Sequence, residues 1–210
     1  MNNSEGMGFW NPESRVMIFL DRCTALVLTN FLWILCCIPI VTAGAATRAM
    51  YANLRAYSND EAWGPGAFFR AFRQDFLRSC GIGVGLMLTA VLLTAAAVLI
   101  LSTGLPGSML IVGLVGSVGL ITLLFGSMVF PIMTGPAMPL QQLILTAMTL
   151  SIGYLPRMLL VSALNLLPGF LLLFCTPVFV QISALWALVG FSLIAAINLR
   201  LMRPILRSLS

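Results

Sequence analysis

The chain has 210 residues, of which 60% are hydrophobic and only 8% charged, and its mean hydropathy is +1.05. An ordinary soluble domain carries roughly 25% charged residues; too few polar side chains are present here to cover a water-facing surface, so a bilayer must act as solvent. The net charge of +5 comes from 11 basic residues, all arginine, which flank apolar runs; this points to anionic lipid headgroups as partner and not to nucleic acid.

A helix needs about 20 apolar residues to cross about 30 Å of hydrocarbon, and helices satisfy their backbone internally. The expected fold class is therefore all-α: one polytopic membrane domain of five transmembrane helices and two amphipathic interfacial helices. Span one runs over about 24–42, with Pro39 ending or kinking it. Ala43-Gly44-Ala45 imitates a leader-cleavage site, but the apolar run before it is too long, so the segment is expected to stay as a span. Thr42 and Thr47 are placed to cap the chain where it leaves the membrane. A polar connection with Arg48 and Arg55 follows.

After the turn signal Gly64-Pro65-Gly66, the pattern predicts a basic interfacial helix over about 67–79. Phe68, Phe69, Phe72 and Phe76 lie on one side, with Arg70, Arg73, Gln74 and Arg78 on the other. Spans two and three cover about 81–101 and 109–133. A second interfacial helix is expected over about 140–155; at about 1.5 Å per residue it is too short to cross. Spans four and five cover about 158–175, interrupted at Pro168-Gly169, and about 178–199. With five spans, the arginines after span one, before span four and in the C-terminal tail share one side. That side is expected to be cytoplasmic, with the N-terminus outside.

Chemistry is limited by what the chain omits. It has no histidine, so Ser–His, Cys–His and HExxH sites are excluded, and no GxxxxGK[ST] loop is present. None of the acids falls within an expected span, which removes a carboxylate proton relay. The five cysteines have no metal-site spacing and are read as buried small hydrophobes. No enzyme activity, cofactor or metal is expected. Asn30, Asn165, Gln181 and Asn198 are the notable uncharged polar residues in spans. Each can hydrogen-bond a neighbouring helix; Asn165, Gln181 and Asn198 can alternatively line a solute path. Gly81, Gly83, Gly85, Gly113, Gly116 and Gly119 allow close helix approach, within the chain or with a partner.

The segments Gly8-Phe9-Trp10-Asn11, Arg15, Asn30-Phe31-Leu32-Trp33, Cys37-Ile38-Pro39-Ile40-Val41-Thr42-Ala43-Gly44-Ala45-Ala46-Thr47, Ala49-Met50-Tyr51 and Phe68-Phe69-Arg70-Ala71-Phe72-Arg73 resemble the YesL family over about 7–75. The resemblance implies a bacterial cell-membrane protein of undetermined biochemistry. Its genes often lie beside sugar-uptake ABC transporters, which implies an accessory role in carbohydrate import with transporter subunits as partners. The motif and interaction candidates are Trp10, Asn30, Trp33, Pro39, Thr42, Gly44, Thr47, Arg70 and Arg73. Residues 144–156 lack the Glu-Ala-Ala opening of an ATPase-coupling loop, so a standard ATPase-coupled permease is not expected. A stand-alone transporter or channel and a membrane-protein assembly factor are the alternatives.

Overall fold

The computed structural model describes residues 15–104, 107–174 and 176–207. Among these the chain is all-α, without a strand. Helix α1, Arg15–Cys37, stops two residues before Pro39, where helical geometry is disfavoured, and a 3-10 turn, Ile40–Thr42, follows. Thr42 Oγ1 donates to the carbonyls of Cys36 at 2.5 Å and Pro39 at 2.7 Å. It therefore caps the end of α1, whose last carbonyls lack intrahelical partners; its side chain makes no capping bond to the helix it precedes.

The expected polar connection after span one is in fact a helix, α2, Ala43–Ser58. It runs back antiparallel along α1, as three contacts show. Trp33 Nε1–H donates to Thr47 Oγ1 at 3.2 Å, Asn53 Nδ2 to Thr29 Oγ1 at 2.8 Å, and Tyr57 OH to Asp21 at 2.9 Å. Thr47 thus sits within a helix, back-bonded to Ala43 O, and caps no terminus. Alanine and glycine make α2 thin enough to be packed on most sides, by α1, α3, α4, α5 and α9. At its crossing with α4 the backbones nearly touch. A Cβ on Gly83 would lie 2.7 Å from Gly44 Cα, and one on Gly44 would run into the Ser79 carbonyl.

The turn at Gly64 has φ +118°, a conformation suited to glycine, and its N–H donates to Asn53 Oδ1 at 2.9 Å. The single interfacial helix expected over 67–79 is broken. Helix α3 is Pro65–Arg73; Gln74 is extended, Asp75 has φ +53°, and α4 begins at Phe76. Within α3, Phe68 is fully buried in the core and Phe69 is exposed.

Helices α4, Phe76–Ser102, and α5, Ser108–Ile132, form a hairpin. Helix α6, Leu140–Gly153, meets α7, Leu155–Phe174, at a bend of 103° measured over Leu140–Gly153 and Leu155–Leu171. Pro156 is tolerated in the first turn of α7, and the helix continues through Pro168, where an interruption was expected. The last apolar stretch comprises α8, Thr176–Leu185, a π-helical turn, Trp186–Gly190, and α9, Phe191–Arg207. By length and apolarity α1, α4, α5 and Ser183–Leu206 can cross a membrane, and the bent α6–α7 pair makes a fifth if it is one span. The described residues thus fold as a polytopic α-helical membrane protein. Its core cluster includes Phe68, Met128, Leu143, Met158, Met202 and Ile205, all fully buried.

Candidate functional site

A cavity of about 460 Å³ lies between α1, α2, α4, α5, α7 and α9. Its walls are mainly apolar, with Trp33, Leu86, Phe130 and Phe191 among them, and Ala90 and Thr94 on the α4 side are exposed. Its polar lining residues are Thr47, Tyr51, Ser127 and Asn165, together with Thr94 and Thr122, whose hydroxyls bond back to carbonyls of their own helices.

Tyr51, Ser127 and Asn165 belong to a hydrogen-bond chain that ties four helices. Asn198 of α9 donates through Nδ2 to Tyr51 OH of α2 at 3.3 Å and to Asn165 Oδ1 of α7 at 2.9 Å. Asn165 Nδ2 donates to Ser127 Oγ of α5 at 3.1 Å, and Ser127 lies 3.5 Å from Ser162 Oγ. Such bonds stabilise helix contacts away from water. Asn198 Oδ1 is buried and has no hydrogen-bond partner, which leaves an acceptor in reserve beneath the cavity.

Asn30 performs a different task. Its Nδ2 donates to Ala187 O at 2.5 Å, and its Oδ1 accepts from the Ser192 N–H at 3.0 Å. One side chain thus clasps both ends of the π turn, where backbone groups are displaced from α-helical pairing. Phe191, at the junction, stacks 4.6 Å from Trp33 and forms part of the cavity wall. Gly190 is required by the same turn: a Cβ there would lie 2.7 Å from the Trp186 ring.

The sequence candidates therefore separate. Trp33, Thr47 and Asn165 line the cavity and Asn198 stands behind it, whereas Gln181 is exposed on α8. Gly44 is a packing contact, Pro39 is exposed at the end of α1, and Arg70 and Arg73 are exposed on α3. Trp10 and Cys175 lie outside the described residues. Sequence reasoning missed Tyr51, Ser127 and Ser162, because hydroxyls within apolar or alanine-rich stretches give no spacing signal.

It also missed the role of Arg48, which is 3% exposed. Nη1 donates to Ala71 O at 2.7 Å and Gln74 O at 2.8 Å, Nε donates to Met133 O at 3.2 Å, and Nη2 lies 3.8 Å from Asp75. The cation thereby sits on carbonyls at the C-terminal ends of α3 and α5, where the helix dipoles favour positive charge. Burial pulls the Arg48 guanidinium below its ordinary pKa; Asp75 opposes that shift and Arg78 adds to it.

A family model described as "Protein of unknown function, DUF624" matches residues 26–96, a stretch that holds most of α1, all of α2 and α3, and most of α4. No curated protein and no solved structure matches the chain.

Proposed function

We propose that this protein is a non-enzymatic accessory subunit of a bacterial carbohydrate uptake system of the ABC type, and that its intramembrane cavity receives an uncharged amphipathic group. The observation that carries this reading is the cavity's architecture. Apolar walls lead to a floor of amides and hydroxyls that bond mainly to one another. Neutral polar groups on such a floor suit an uncharged amphiphile or a partner side chain. A conduit calls instead for polar groups strung along its length, and Gln181, the third expected path residue, faces elsewhere. The carbohydrate setting rests on the resemblance of residues 7–75 to the YesL family, and the match over residues 26–96 overlaps that region.

The proposed location is the bacterial cell membrane with the arginine-bearing end of the bundle cytoplasmic, including the C-terminus. Two contacts argue for moving the N-terminal half of α1 to the same side, against an external N-terminus. Tyr57 bonds Asp21 of α1, and Arg203 Nη2 of α9 bonds Ser58 O at 3.4 Å, both at the last turn of α2. Cytoplasm-only reporters at either terminus should then both be active; a silent but well-expressed N-terminal fusion would restore the external N-terminus.

Affinity purification from native membranes in mild detergent tests the function. Stoichiometric recovery of a sugar permease or its binding protein is expected. Recovery of this chain alone, together with sugar flux in liposomes that hold nothing else, would establish a stand-alone transporter instead.

A further inference from the structure

A second, smaller pocket lies at the junction of α3, α4 and the 132–138 segment, lined by Arg48, Gln74, Asp75, Arg78, Met133 and Gly135 among others. Arg78, one of these lining residues, holds its Nε and Nη2 buried and without a hydrogen-bond partner. These two nitrogens form the side-on edge of the guanidinium, the fork that grips two oxygens of one oxyanion. A buried N–H without an acceptor is costly, and most such groups in folded proteins are paired.

The electrostatics of the pocket favour an anion. Arg48 and Arg78 bring two positive charges and Asp75 a single negative one. The Asp75 carboxylate lies 3.8 Å from Arg48 and its side chain is 42% exposed, so it neutralises the centre only in part. Arg48 already serves three carbonyls. Arg78 is the third residue of α4, at its positive end, and the Asp75 side chain makes no capping bond to that end. The pocket volume is about 20 Å³, enough for one or two water-sized groups. Gln74, Asp75, Pro136 and Ala137 around it are exposed. An oxyanion would thus place one edge inside and leave its remainder outside.

We infer that Arg78, backed by Arg48, forms a binding site for a single phosphate group, supplied by a phospholipid headgroup or by free phosphate. Arg78 opens a long apolar helix, where lipid phosphates are abundant.

The test uses the full chain in detergent and compares wild type with Arg78→Gln and Arg78→Lys. Native mass spectrometry follows retention of phosphatidylglycerol against diacylglycerol, which lacks the phosphate. Thermal unfolding follows added inorganic phosphate. Wild type should retain one phosphatidylglycerol and no diacylglycerol, and Arg78→Gln should weaken retention about tenfold, as loss of a charge-assisted bond predicts. Arg78→Lys keeps the charge without the fork and should fall between; it carries the comparison if the Gln variant fails to fold. A lipid source is assigned if only phosphatidylglycerol discriminates wild type from the variants. Free phosphate is assigned if only the phosphate-induced rise in unfolding temperature does. Equal retention and equal temperature shifts in wild type and the folded variants would overturn the site.

Discussion

Gly44 and Gly81 are both small, and sequence alone gives them the same reading. Their surroundings differ: a Cβ at Gly44 meets the α4 backbone, whereas one at Gly81 meets nothing within 4 Å. Gly44→Val should push α2 off α4 and abolish the monodisperse peak in size-exclusion chromatography, while Gly81→Val should leave the peak in place. Arg48 offers a sharper case. Arg48→Met removes three hydrogen bonds to helix-end carbonyls, two of them buried, and a loss of about 3 kcal/mol is expected, read as a lower unfolding temperature in detergent. Asn30→Ala releases both ends of the π turn and should cost about 1–2 kcal/mol by the same measurement. Asn30 was legible as a helix-bonding residue from its place in an apolar run. Arg48 was not, because an arginine near a span reads as a topology marker until the carbonyls it serves are placed in space.

At the scale of the element, the long apolar helices α1, α4 and α5 follow from hydropathy, because length and apolarity decide them locally. Helix α2 was missed for a physical reason: it is short, it contains Arg48, Asn53 and Arg55, and its burial comes from small residues and tertiary partners. Its far end is held to α1 by the Tyr57–Asp21 bond. Burial first, and then the bond to Asp21 and its charge, push the Tyr57 phenol above its ordinary value near 10. A raised folded-state value means that this contact contributes fully below the unfolded value and is lost as pH rises through the folded one. The unfolding temperature should therefore fall as pH rises above about 10, and Tyr57→Phe should remove that part of the decline. An unchanged alkaline profile in the variant would free Tyr57 of the role.

For the whole molecule, membrane character was legible from composition, but the meeting of distant helices was not. The polar floor draws one residue each from α2, α5 and α9 and two from α7; no local pattern announces such a convergence. The π turn shows how backbone geometry decides which residues take part. On an uninterrupted helix Gln181 and Asn198 would point about 100° apart, and one extra residue in a turn adds a rotation of about 100°. The offset carries them to about 160°, so one amide joins the floor while the other faces away. Trp186–Gly190 is in this sense a phase shifter between α8 and α9. Excision of one residue there would leave 16 residues of continuous helix between the two amides, again about 160° apart, so the turn absorbs an extra residue while the outward face of α8 and the inward face of α9 keep their places.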